Sequence, residues 1–262
     1  MTNSTSYLLS HYRLLFRTAR SELRSRYAGS VLGIFWAVLG PWSLLALYSV
    51  VYLFIFRVKV EGLTATEYVF FVFSGLVPFF MTAESVSQGV GSVVNNKEVL
   101  ENIVFPIDLA PLKAVLVGQT PLIAGMPVVI IGSLVIGNGS WTMLLLPALL
   151  LLHLMALAGV VWLLSLLNVV FRDIQSLIGV VLMALLIASP FAYTPDMVPD
   201  SLRPIITFNP FAYYVMAYQD LLIFGRIPPL FNIAVLTTFS VGLFLIGGWF
   251  FSRAKRVIVD YV

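Results

Sequence analysis

The apolar positions of this chain gather into six long runs separated by short polar stretches. A helix needs about 20 mostly apolar residues to cross the hydrocarbon core of a bilayer. The runs predict six transmembrane helices, over about residues 34–56, 68–94, 114–136, 143–169, 174–189 and 231–251. The second is cleanly apolar only to Met81, so it reaches full length by continuing through Glu84, Ser85, Ser87 and Gln88. Gly75 and Pro78 permit a kink in it. The third carries Gly118, Pro121, Gly125, Pro127 and Gly132, which points to close helix approach and an irregular wall. The fourth and fifth are joined by a single charged turn at Arg172 and Asp173, and the hairpin they form ends at Ser189 and Pro190.

Two other segments have helical periodicity without the form of a span. In Tyr7–Arg24, Leu8, Tyr12, Leu15, Phe16, Ala19 and Leu23 make one stripe. Arg13, Arg17, Arg20 and Arg24 make a second, about 100° round the helix. Residues 1–30 are therefore expected to form an amphipathic helix lying in the membrane interface, with residues 31–262 as the transmembrane domain. An ordinary basic flank is the alternative. The second segment, 194–230, is apolar but interrupted by Pro195, Pro199, Pro204, Pro210, Pro228 and Pro229. No continuous span passes through that many prolines. Asn209 before Pro210 is a good helix start, and Phe211, Tyr214, Val215, Tyr218, Leu221 and Leu222 then share one face over about four turns. This re-entrant extracytoplasmic segment is expected to dip into the outer leaflet or cover the bundle. Its aromatics, with Phe191, Tyr193, Phe208 and Tyr213, suit a membrane interface or stacking against sugar rings.

Composition confirms the class. The chain is 60% hydrophobic and 10% charged, against about 25% charged in soluble domains, and its mean hydropathy is +0.99. An all-α integral membrane protein follows. The absence of cysteine excludes disulfides, thiolate metal sites and a cysteine nucleophile. The two histidines, His11 and His153, are far apart in the topology, so no metal site is expected. No Gly-Lys pair occurs, hence no Walker phosphate loop, and this chain is not expected to hydrolyse ATP. No cleavable signal is expected, because five arginines precede the first apolar run.

Charge placement sets orientation. With the N-terminus in the cytoplasm, 11 of the 15 lysines and arginines fall inside, and only Arg57, Lys59, Arg203 and Arg226 fall outside. Both termini are thus expected to be cytoplasmic. The first cytoplasmic loop, NNKEVLENIVFPIDLAPLK (Asn95–Lys113), has room for a short helix from Lys97 to Val104, stopped by Pro106. The second is the Arg172–Asp173 turn. It reads either as a topology anchor, with Asp173 capping the fifth helix, or as a stiff connection that transmits force. Within the membrane the main ionisable candidates are Glu84, in a substrate pathway or merely wet, and His153, in hydrogen-bonded packing. Without intramembrane carboxylate pairs, proton-coupled transport loses weight.

Three stretches carry a family resemblance. RSRYAGSVLGIFWAVLGP (Arg24–Pro41), LSLLNVVFRDIQSLIGVVLMALLIASPFAYTPDMVP (Leu164–Pro199) and FNPFAYYVMAYQDLLIFG (Phe208–Gly225) resemble the polysaccharide-export branch of ABC-2 type permeases. They match its entry to the first span, its fourth-to-fifth hairpin and its outer re-entrant segment. One departure is visible. Where the family reads Phe-Pro-Arg-Glu before a Leu-Pro, this chain has Phe105, Pro106, Ile107 and Asp108, then Leu109, Ala110 and Pro111. The resemblance implies a homodimer paired with two separate ATP-binding subunits that hold ATP and Mg, with no cofactor on this chain and no nucleic-acid partner. It implies contacts to the ATPase through Arg20, Arg24, Lys97, Glu98, Phe105, Pro106, Asp108, Arg172 and Asp173. It implies a substrate path and gate near Glu84, Phe191, Tyr193, Phe208, Phe211, Tyr214 and Tyr218. The cargo would be a polyprenyl-diphosphate-linked glycan, such as an O antigen, crossing the bacterial cytoplasmic (inner) membrane among its lipids. Capsular polysaccharide or teichoic acid export, small hydrophobic cargo, and a non-transport membrane protein are the alternatives.

Overall fold

The computed structural model describes residues 4–55, 60–96, 107–137 and 139–258. Among them every regular element is helical. Ten α-helices follow one another: α1 Ser4–Arg26, α2 Trp36–Val50, α3 Ala65–Val90, α4 Leu109–Val117, α5 Thr120–Val135, α6 Leu146–Val170, α7 Ile174–Ala188, α8 Arg203–Thr207, α9 Pro210–Leu222 and α10 Leu230–Ile258.

Among the described residues five stretches are long and apolar enough to cross a membrane: Gly33–Val50, Ala65–Val90, Leu109–Val135, Trp141–Val170 and Leu230–Ala254. The fifth expected span is present as α7 but has only 15 residues. At 1.5 Å per residue that is roughly 22 Å, short of the roughly 30 Å hydrocarbon core. The first expected span ends its α-helix at Val50 and continues as a π-helical turn over Val51–Ile55. The helix expected from Lys97 to Val104 lies outside the described residues.

α3 is the most buried of the spans and the axis of the bundle. It starts earlier than the apolar run because Thr64 and Glu67 form a reciprocal capping box. Glu67 Oε2 accepts from the Thr64 amide at 2.7 Å, and Thr64 Oγ1 accepts from the Glu67 amide at 3.3 Å. It then runs unbroken past Pro78 and Glu84, as its length requirement predicts. The glycines of the third span explain how closely it is packed. Gly118, Gly125 and Gly132, seven residues apart, all face α3. A Cβ at Gly118 would lie 2.6 Å from the Ser85 Cα, and one at Gly125 would lie 2.6 Å from Val77 Cγ2. One at Gly132 would collide with the Phe70 ring. The third span is broken at Gly118 and Gln119 into α4 and α5, and Pro121 sits in the first turn of the new helix, where its missing N–H costs nothing. On the other side α6 and α10 meet backbone to backbone, Gly159 against Leu243 and Gly247.

Candidate functional site

The antiparallel helices give the bundle two ends. The basic end holds the tail of α3, the start of α4 and the α6–α7 turn. There α1 is fastened by two ion pairs. Arg26 Nη1 meets Glu84 Oε1 at 2.5 Å, and Lys113 Nζ meets Glu22 Oε2 at 2.7 Å. Gln88 also donates to Glu84. Glu84 thus joins α1 to α3. Arg20 and Arg24 are exposed beside these contacts. Lys97, Glu98, Phe105 and Pro106 lie outside the described residues, while the Asp108 carbonyl accepts a 3.4 Å bond from Trp162 Nε1.

Arg172 and Asp173 are both exposed and form no ion pair with another described residue. Asp173 occupies the N-cap position of α7, but its side chain makes no capping bond. Its carbonyl receives the Ser176 and Leu177 amides instead. Among the described residues the turn is therefore a charged knuckle whose two side chains are exposed.

The opposite end holds the proline-broken segment. After α7 the chain passes Phe191 and Ala192, whose carbonyl accepts from Tyr68 Oη at 2.9 Å. It returns through α8 to Asn209, and Asn209 Nδ2 donates to Ser189 Oγ at 2.9 Å. Asn209 Oδ1 simultaneously accepts from the Phe211 amide, starting α9 where Asn-Pro predicted. The sequence shows one apolar face on α9, within a segment expected to dip into the outer leaflet or cover the bundle; in the structure α9 is enclosed nearly all round. Its terminal carbonyls are met by hydroxyls from neighbouring elements. Thr142 donates to Leu221 at 2.9 Å, and Ser133 donates to Leu222. This satisfies helix-end groups that would otherwise be orphaned.

The aromatic candidates divide sharply. Phe191, Phe211, Tyr214 and Tyr218 are buried in the core, Tyr193 is half-buried, and Phe208 is 85% exposed. Phe79 packs edge-on against Phe191 and Phe211, with centroids 5.4 and 5.6 Å away. The Tyr214 ring stacks on His153 at 4.2 Å. Thr82 Oγ1 donates to the Pro78 carbonyl and lies 2.9 Å from His153 Nε2. Its proton thus committed, Oγ1 accepts from Nε2–H, which assigns the imidazole tautomer. By the same logic Ser240, which donates to Leu236, accepts from Tyr214 Oη at 2.5 Å. His153 is thus hydrogen-bonded and packed, joining α3, α6 and α9, and Tyr214 carries the link on to Ser240 of α10. Tyr193 Oη donates to the Ala188 carbonyl at 3.3 Å.

One feature of this end escaped the sequence reading. Asp220, 3% exposed, holds Arg226 Nε at 2.7 Å. Burial pushes its carboxyl above the ordinary range, and the Arg226 bond pulls the other way. The available signal was an acidic residue in the last turn of a helix, where the dipole disfavours it and a cationic partner is needed. Among the described residues no group of three or more His, Asp or Glu side chains is placed to hold a metal ion.

Comparison with known proteins bears on the same regions. Residues 114–223, from α4 to the end of α9, match the ABC-2 type transporter family. The chain is also similar to permease proteins of O-antigen export systems, both named RfbA. That of Myxococcus xanthus is 29% identical over 169 residues, 64% of this chain and 63% of that protein. One from Klebsiella pneumoniae is 28% identical over 167 residues, 63% of this chain and 62% of the relative. The aligned region thus spans less than two thirds of these relatives.

Proposed function

We propose that this chain is the membrane-spanning subunit of an ATP-driven exporter that moves lipid-linked polysaccharide, specifically O antigen on a polyprenyl diphosphate, across the bacterial inner membrane. The observation that carries the reading is the coincidence of the ABC-2 match with the hairpin and the enclosed outer segment. Similarity to two O-antigen export permeases supports the cargo. In this reading α7 completes the set of six spans as the fifth in chain order, and the basic end is cytoplasmic, with both termini. Two copies pair around the glycan path, and two ATP-binding subunits bearing ATP and Mg dock on the basic end.

Mechanically, the exposed Arg172–Asp173 knuckle, Arg20 and Arg24 of α1 and the 97–108 loop would receive the motor. The ion pairs from Arg26 to Glu84 and from Lys113 to Glu22 would carry its movement into α3 and α4 as rigid bodies. Phe208, exposed at the far end, and Tyr193 would meet glycan or lipid, while Phe191, Phe211, Tyr214 and Tyr218 would move as one packed block behind them.

Deleting the gene in a cell that displays the glycan should leave lipid-linked glycan trapped inside, and complementation should restore the surface polymer. Normal surface glycan in the deletion strain would refute the proposal. Copurification with an ATP-binding subunit, followed by ATPase assays with lipid-linked glycan, tests the motor half. Exchanging the turn charges (Arg172→Glu with Asp173→Arg) should abolish export while the protein remains in the membrane. Export at the normal rate would leave the turn a mere topology anchor.

A further inference from the structure

At the end of the bundle opposite the α1 ion pairs lies a cavity of about 660 Å³. That volume is within the usual range for small-ligand sites, about 300–1,000 Å³. Five separate segments wall it: the connection before α3, the Thr194–Met197 stretch, the end of α9, the turn after it and the first turn of α10. Its polar residues are Glu61, Thr194, Asp196, Gln219, Asp220, Arg226 and Asn232.

These groups are sorted by role. Asp220 is buried and bound by Arg226, whose guanidinium also lies 4.9 Å over the Phe224 ring, so this back wall is fixed and its charge is answered. Gln219 is 4% exposed, and both of its bonds run from Nε2, to the carbonyls of Pro190 at 3.0 Å and Phe191 at 3.3 Å. That anchors the amide to the turn after α7 and leaves its Oε1 acceptor for the cavity. Glu61 and Asp196 at the rim are exposed carboxylates that make no ion pair with another described residue. The free groups are thus mostly acceptors, set beside the apolar surfaces of Val60, Met197 and Met216.

Acceptors beside apolar surface suit a ligand with many hydroxyl donors and C–H faces. Two carboxylates without an ion pair among the described residues repel an anion, and the described carboxylates are not grouped to hold a metal ion. We propose that this cavity binds a neutral sugar unit of the exported glycan, its hydroxyls donating to Glu61, Asp196 and Gln219. The inference rests on the glycan-export reading above. It assigns each protomer an outer glycan site of its own, held by the same Gln219 that fastens α9 to the end of α7.

The test uses the intact exporter in cells, with the photoreactive residue benzoylphenylalanine at Met197 or Asn232 on the rim, and at Leu144 as a control. Leu144 is 80% exposed and does not line the cavity. After irradiation, glycan on the purified chain is read by periodate staining. The expected result is a glycan ladder at Met197 and Asn232 and little at Leu144. Glu61→Gln and Asp196→Asn, both at exposed positions, should reduce the ladder about tenfold, the loss of roughly one good charged hydrogen bond. Equal labelling at all three positions overturns the site, as do lipid or protein adducts in place of glycan. So does an absent ladder while glycan still reaches the surface, a result that leaves the export function standing. Surface glycan that persists without the chain overturns both.

Discussion

α1 and α9 have the same kind of sequence pattern, an apolar face at helical spacing, and the structure treats them in opposite ways. α1 exposes Tyr12, Phe16 and its arginines and is held at its C-terminal end by two ion pairs. α9 is swallowed by the bundle, with Tyr214 and Tyr218 almost wholly covered. The difference lies in the second face. Four arginines keep α1 at a polar boundary, whereas the rest of α9 is proline, alanine, tyrosine, methionine, one amide and one carboxylate answered by Arg226. Periodicity locates one apolar face; the chemistry of the remainder decides whether the helix stops at the surface or enters the core.

The comparison can be broken by matched truncations. Tyr214→Ala should cost about 3–5 kcal/mol, the range for a large core aromatic, read as a fall in the unfolding midpoint in detergent. Phe16→Ala should stay within about 0.5 kcal/mol. Similar effects from the two would erase the contrast. Next in size, Asn209→Ala removes both the α9 cap and the bond to Ser189, for about 0.5–2 kcal/mol. If its midpoint matches wild type, the tie at Ser189 is incidental.

Smaller still is the fastening of α1. Glu84→Arg should loosen it by no more than about 1 kcal/mol, the scale of a part-exposed pair. Protease cleavage near Tyr27 should accelerate, and adding Arg26→Glu should restore protection. Failure of the double variant to recover would mean that Arg26 and Glu84 do not act as a pair. The smallest stability effect belongs to Arg20→Glu with Arg24→Glu, within about 0.5 kcal/mol. If the proposed motor contact is right, that variant should nevertheless lose export. Normal export would confine the arginine stripe to the membrane surface.

Much of the fold was legible because each feature is set by neighbours along the chain. The runs placed the spans, Asn209-Pro210 placed α9, and the two-residue turn placed the α6–α7 hairpin. The glycines of the third span announced a close approach without naming α3 as its target, since a partner distant in sequence leaves no local mark. The Thr64–Glu67 box was readable but lay ahead of the apolar run. Within the candidate site, the exposure of Arg172 and Asp173 follows from their charge. The ion-pair partner of Glu84, the hydrogen-bond partner of His153 and the ion-pair partner of Asp220 are 58, 71 and 6 residues away. Only the last was within reach of a local argument, through the charge sign at a helix end.

The bond between Asn209 and Ser189 has a consequence for how such a chain can change over generations. It ties off the residues between them as a loop with fixed ends. Doubling the length of a loop costs only about 0.6 kcal/mol in closure entropy. Insertions between Thr194 and Leu202 can therefore accumulate without shifting α9 or the His153–Tyr214 stack, and Thr194–Met197 is one wall of the outer cavity. If that cavity holds the exported glycan as proposed, a lineage can recut that wall for a new polymer while inheriting the rest of the fold unchanged.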